Sequence, residues 1–348
     1  MLKGTWCRHG VGLAVLAGCL LIGDAALQSA SAACTTMRKM NIGVSVAPPN
    51  VVHTAPYVAK ELGYFEKRCI DAAIIQFDGG SSPAAKAAAA QGTALVAVTP
   101  IAIGHGVKVQ QIWGMGLRLP QSYVVGPDIK TAKDLKGKKL SAVGGGVGGF
   151  NWLMGRQVLE SAGLTVNDAQ FIAGATAGRV PGLLSGQIDG VSLHPESVYL
   201  AQQKNPNVHV LVQLSDLLPN YFYNAYGAQI DWIKRDHALM VDAIASMIEA
   251  QRTMYQDQAK VVPIIMKATG RPKEAVEYAM KVLTDHCVWA VNQGFDAKRT
   301  AWTIDDDVKN GYIKADEKPT VDRVFNEEIA NEAVKSLGGP VKIGKCFE

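Results

Sequence analysis

From residue 40 to residue 190 the chain alternates strand-like apolar runs with helical stretches, and loops rich in Gly, Pro and Ser follow the runs at their carboxyl ends. The rhythm predicts strands at 40–46, 73–77, 95–98, 110–115, 122–125, 140–143, 170–172, 190–193 and 209–213, with helices at 57–62, 83–91, 150–162 and 180–185. Such a chain is an α/β protein. A parallel sheet covered by helices on both faces gathers its strand ends and helix starts on one edge, so the loops there are where a ligand is expected. After about Asn220 the pattern turns helical: Asp231 caps a long helix reaching about Tyr255, and shorter helices start at Gln258, Lys273 and Ala297 and span 321–337. Met240, Met247 and Met254 recur every seven residues and read as the core stripe of the long helix. Asp305, Asp306 and Asp307 read as a solvated helix start.

The amino terminus sets the compartment. Lys3, Arg8 and His9 precede an apolar run at 11–22, and Ala30-Ser31-Ala32 supplies small residues for cleavage, so residues 1–32 are expected to be a secretory signal and the mature protein periplasmic. Leu16-Ala17-Gly18-Cys19 offers an alternative, a lipobox that would anchor the chain through Cys19. About 316 residues then remain, enough for one large or two medium cores, and two lobes are expected. The net charge of +4, without a run of five like charges, does not suggest a nucleic-acid partner. Cys34, Cys69, Cys287 and Cys346 survive either cleavage, and an even count in an oxidising compartment reads as two disulfides. The pairing favoured is Cys34 with Cys69, both just ahead of early strands, and Cys287 with Cys346; buried free thiols are the alternative.

"LSAVGGGVGGFNW" sits between a predicted strand and a predicted helix and can be parsed three ways. Gly144, Gly146 and Gly149 satisfy a dinucleotide fingerprint, but the next strand ends in Ala173-Gly174-Ala175, without the acidic residue that would hold a ribose. A phosphate loop needs Lys and Ser or Thr where Phe150 and Asn151 stand. What remains is a helix start whose free amides a polar or anionic group can approach past glycines, or a turn made only for close packing. The sequence has no GxSxG, no HExxH and only scattered histidines, so no catalytic residue, metal or cofactor is assigned.

Taken together, "MNIGVSVAPPNVVHTAPYVAKELGYFEKRCIDAAIIQFDGGSS", "DIKTAKDLKGKKLSAVGGGVGG", "AGRVPGLLSGQIDGVSLHPE" and "IKADEKPTVDRVFNEEIANEAV" resemble the exported solute-binding proteins of ABC importers, in the nitrate, sulfonate, taurine and thiamine-pyrimidine group. The resemblance spans about Met40 to Leu337. It implies a two-lobed type II periplasmic binding protein fold, each lobe a mostly parallel sheet flanked by helices, with two hinge crossovers near Gly126 and Asn220. Lobe 1 would hold 33–126, lobe 2 127–220, and lobe 1 again 221–348. The implied partners are a small solute, expected to be an organic anion such as a carboxylate or sulfonate, and a membrane ABC permease with its ATPase; the protein is expected to be a monomer. Alternatives on the same fold are a thiamine-pyrimidine-synthase-like or transferase enzyme, and a module presenting ligand to a sensor. Where relatives place a Trp at the end of the second-lobe strand, this chain has Leu193-His194-Pro195-Glu196, so the solute does not carry over.

Matched by position, lobe 1 would offer Ser45, His53, Thr54, Ser81, Ser82 and Thr99, with Ser82 equally able to cap the helix behind it. Lobe 2 would offer Gly146, Val147, Phe150, Thr176, Arg179 and His194, and the return crossover Asn224. An inward Arg179 would favour a carboxylate or sulfonate, whose oxygens match its donor fork. Glu196 could pair with Arg179 or meet a cationic solute, but a surface carboxylate is the reading expected.

Overall fold

Strands with apolar residues at successive positions bury both faces, and that decides the layering here. In β5 (Ser122–Val125) and β8 (Gly190–Leu193) every residue is buried. Tyr123 packs into one core layer with Leu135, Leu140, Leu153 and Val158, while its neighbour Val124 packs into another with Leu183, Ile188, Val191 and Leu193. The computed structural model describes residues 34–77, 92–143 and 146–346. The expected signal segment, the helix at 83–91, Ser81, Ser82 and the glycines at 144 and 145 lie outside the described residues.

The other strands are β1 (Arg38–Val44), β2 (Ile70–Gln76), β3 (Val96–Val98), β4 (Val109–Gly116), β6 (Lys139–Ser141), β7 (Gln170–Ile172), β9 (His209–Gln213) and β10 (Asn224–Gln229). The described helices are α1 (Ala55–Glu61), α2 (Pro100–Gly104), α3 (Phe150–Ser161), α4 (Arg179–Leu184), α5 (Pro195–Lys204), α6 (Leu214–Leu217) and α7 (Ile230–Arg235). They continue with α8 (His237–Gln256), α9 (Gln258–Thr269), α10 (Lys273–Asp285), α11 (Ala297–Lys309), α12 (Val321–Val324) and α13 (Glu328–Ser336).

The strands make two sheets of matching order. In the first, β1 pairs parallel with β2 and is joined by the single parallel bridge Ile42–Leu95 to the residue just ahead of β3, and β10 runs antiparallel between β3 and β4. In the second the order is β7-β6-β8-β5-β9, with β5 antiparallel to both neighbours. The one antiparallel strand of each sheet is the strand on which the chain arrives from the other sheet. Two lobes joined by two crossovers follow, as the fold class predicted. Because β5 pairs within the second sheet, the chain changes sheet at 117–121, ahead of the crossover expected near Gly126; it returns within 214–223.

Other differences have local causes. The helix predicted from Asp231 breaks at Asp236, whose carboxylate pairs with Arg235 and whose backbone leaves the helical region, separating α7 from α8. The helix predicted at 321–337 breaks at Phe325, because Phe325 bridges to Gln111 and the Asn326 amide donates to the Gln111 carbonyl at 2.8 Å, extending the β4 edge. Strand β10 escaped the sequence reading. Its Gly227 is required, since a Cβ there would lie 2.6 Å from the Gln110 carbonyl oxygen. The three aspartates close α11 rather than opening it, and Asp306 and Asp307 are buried, not solvated. Burial pushes the Asp307 carboxyl well above the ordinary range, with the Asp306 charge adding to the effect.

The methionine stripe of α8 is core as predicted: Met240, Met247 and Met254 are fully buried. Both disulfides are present with the favoured pairing, Cys34–Cys69 and Cys287–Cys346. Among the described residues no helix is long and apolar enough to cross a membrane.

Candidate functional site

Parallel strands deliver their following loops to one edge, and there the two lobes touch. His53 ends the short 3-10 turn Val51–His53, which is anchored by the Trp289 indole donating to the Val52 carbonyl at 2.9 Å. His194 caps α5 immediately after β8. The two rings meet edge to face with centroids 5.6 Å apart. Between them stands Tyr223, just ahead of β10, its hydroxyl 3.2 Å from His53 Nε2 and 3.3 Å from His194 Nε2. Gln121, just ahead of β5, donates from Nε2 to the Tyr223 oxygen at 3.2 Å and meets His194 Nε2 at 2.9 Å. Gln121 and Tyr223 thus sit on the two crossovers, so the hinge segments themselves line the contact.

This network fixes the protons. An amide nitrogen only donates, so His194 Nε2 accepts from Gln121 and the neutral ring carries its hydrogen on Nδ1. His53 Nε2 likewise faces the Tyr223 hydroxyl and, at 3.5 Å, the Asn224 amide nitrogen. Both Nδ1–H groups are then donors, and both are buried without a hydrogen-bond partner. Burial lowers His53 to about 3, helped by the nearby positive charge of Arg179. His194 is lowered well below its ordinary value by burial first, then by Arg179, His53 and Arg271. Burial raises the Tyr223 hydroxyl, with the Glu196 charge adding to it and Arg179 opposing.

Of the residues expected from sequence, the structure brings His53, His194, Asn224 and Phe150 together around Tyr223, and the charge of Arg179 acts on both imidazoles. Arg179 opens α4 and is only 7% exposed; its Nε donates to the Thr176 carbonyl at 3.1 Å, so Thr176 serves through its backbone. Phe150 opens α3 behind the uncapped Gly149 and packs edge-on against Tyr223, with centroids 6.4 Å apart. Ser45 is buried after β1 with its hydroxyl unpartnered. The Thr54 hydroxyl is taken by the Val51 carbonyl at 2.8 Å, which makes it a turn residue. Thr99 caps α2. Gly146 has positive φ, as a turn before a helix requires, but Val147 is 77% exposed, so the loop's tip faces solvent rather than the histidines.

Three residues of this cluster were missed and a fourth was expected elsewhere. Gln121 and Tyr223 lie in crossovers and carry no motif, and Asn50 stands in an irregular loop. Glu196, expected at the surface, has no exposure at all: its Oε1 accepts from Asn50 Nδ2 at 2.8 Å, a bond that joins the lobes. The lobes also meet where α5 packs on α10, with the Tyr199 and Tyr278 rings tilted against each other, centroids 5.4 Å apart.

A cavity of about 240 Å³ lies at the other end of β8, lined by Gly126, Lys138, Leu183, Asp189 and Val208 among others. Its Asp189 carboxylate is already occupied by the Lys139 amide at 2.8 Å. The unpartnered buried polar atoms include His53 Nδ1, His194 Nδ1 and Gln121 Oε1, whose residues all meet Tyr223, which makes that cluster the candidate site. Apart from this cluster, His237 of α8 and Glu328 and Glu332 of α13 bring ligand atoms within 4.8 Å of one another, a grouping that the scattered histidines of the sequence did not reveal.

The family model for NMT1/THI5-like proteins matches residues 50–278, a span containing Asn50, His53, Arg179, His194, Glu196 and Tyr223. The chain belongs to the NMT1/THI5-like family. Its fold is that of the alkanesulfonate-binding protein SsuA from Xanthomonas axonopodis pv. citri, solved bound to MOPS (TM-score 0.67, 14% identity, 84% of this chain and 99% of that one). It is also that of the periplasmic nitrate-binding protein NrtA from Synechocystis PCC 6803 (TM-score 0.68, 15% identity, 89% and 92%). The desulfurization enzyme DSZB shares it as well (TM-score 0.60, 14% identity, 86% and 99%). No curated protein matches the chain.

Proposed function

We propose that this protein is the extracytoplasmic solute-binding component of an ABC importer, and that it clamps a small organic anion between its lobes. The observation that carries the reading is the pair of buried, unpartnered Nδ1–H donors of His53 and His194, one from each lobe, with the positive charge of buried Arg179 acting on both rings. Donors sealed from water with no acceptor cost about 1–3 kcal/mol each, and a carboxylate or sulfonate supplies the acceptors. Closure excludes water and strengthens each such contact. The two disulfides support an oxidising, exported setting, and SsuA and NrtA are binding proteins of that kind.

An enzyme on this fold is the competing reading, since DSZB has it. Binding is favoured because Cys34, Cys69, Cys287 and Cys346 are all tied in disulfides, leaving no thiol nucleophile among the described residues. Isothermal titration of the mature protein with short carboxylates and alkanesulfonates tests the proposal. Heat of binding is expected from at least one class, and Arg179→Met should weaken it about 30-fold or more, as losing one partner of a buried charged contact does. Silence from both classes, or turnover of a bound compound, refutes it.

A further inference from the structure

The donors around Tyr223 account for one end of a solute; the same cleft also holds acceptors that an anion cannot satisfy. Glu196 lies in the first turn of α5 and is wholly buried. Asn50 occupies its Oε1, while Oε2 is sealed from solvent without a partner. Asn50 Oδ1 and Gln121 Oε1 are in the same condition. A buried carboxylate oxygen with nothing donating to it is among the more costly polar arrangements in a protein interior. Asn50 opens the turn that ends in His53 and Glu196 stands two residues after His194, so the Asn50–Glu196 bond lies beside the imidazole pair, and the charges of Glu196 and Arg179 act with opposite sign on the Tyr223 hydroxyl.

We infer that Glu196, steadied by Asn50, sets the specificity of this cleft by accepting a hydrogen bond from an N–H or O–H group on the same solute whose anionic end meets Arg179 and the two imidazoles. The inference rests on the anion-clamp reading and narrows it to donor-bearing anions. It also couples recognition to closure. Asn50 and Glu196 come from opposite lobes, so the carboxylate is oriented for the donor only when the lobes meet. A plain anion would fill the donor end of the cleft and leave Glu196 Oε2 unsatisfied.

The test is isothermal titration with chain-matched probes: propanoate, 3-hydroxypropanoate and 3-aminopropanoate, and the corresponding 2-substituted ethanesulfonates. Wild-type protein should bind a hydroxyl- or amino-bearing member about 10- to 100-fold more tightly than its plain parent, the range for a hydrogen bond to a charged group. Glu196→Gln keeps the shape and an oxygen for Asn50 but replaces one acceptor by a donor. It should abolish that preference, so that plain and substituted probes bind the variant within about threefold of each other. Equal affinity of plain and substituted probes for the wild type means that water satisfies Oε2, and overturns the inference while the anion clamp stands. An undiminished preference in Glu196→Gln overturns it too. Failure of every probe to bind the wild type removes the clamp reading and this inference with it. The wild-type comparison decides the matter even where the variant is unstable.

Discussion

Mild acid should destabilise this protein through His53 well before its surface carboxylates titrate. The imidazole is held at about 3 against its ordinary 6.5, because burial strips the charged form of water and Arg179 repels it. Between those values the unfolded chain binds a proton that the folded one refuses. Stability is therefore complete above pH 6.5 and is lost as the pH falls through that window towards 3. Each pH unit inside the window costs about 1.4 kcal/mol. Going from about pH 7.5 to 5.0 crosses roughly 1.5 units of it, which removes about 2 kcal/mol for His53 alone. His194 acts in the same direction. Asp307 acts in the opposite one, because its raised pKa makes the folded state the better proton acceptor, so the raw pH curve mixes the contributions. Comparison with His53→Gln, which offers Tyr223 a partner but does not titrate, isolates the term. In urea unfolding at the two pH values, the wild type should lose about 2 kcal/mol more than the variant. Parallel losses would refute the reasoning, as would a His53 C2–H resonance titrating near 6.5.

Two further outcomes follow from packing and chain connectivity. Gly114→Ala would set a Cβ 1.7 Å from the Gly294 carbonyl oxygen, whereas nothing lies within 4 Å of a Cβ at Gly126. Gly114→Ala should cost about 3 kcal/mol or more and lower Tm by about 6 °C or more by scanning calorimetry, and Gly126→Ala should lie within about 1 °C of wild type. The disulfides span 35 and 59 residues, so removing either by a Cys→Ala pair should cost about 4 kcal/mol in denaturant unfolding through the entropy of the unfolded chain.

What the sequence made legible was local or periodic. Alternating apolar runs and helical stretches set the α/β class, the seven-residue methionine spacing marked the core of α8, and resemblance over most of the chain supplied two lobes. The reading failed where a tertiary contact overrides a local preference. Phe325 leaves its helix to extend the β4 edge, and β10, with small residues and a glycine in its middle, exists because it fits between β3 and β4.

The site divides the same way. His53, His194 and Arg179 were candidates because they match, by position, the ligand loops of the family that the sequence resembles. That they surround Tyr223, that Gln121 orients one imidazole, and that Glu196 is buried under Asn50 were decided only by the folded chain. Asn50 and Glu196 are 146 residues apart, His53 and Tyr223 170. Periodicity reports which face of its own element a residue occupies. It carries no information about which distant loop will lie against that face, and the charge state, tautomer and unmet hydrogen bonds of this cleft all depend on that loop.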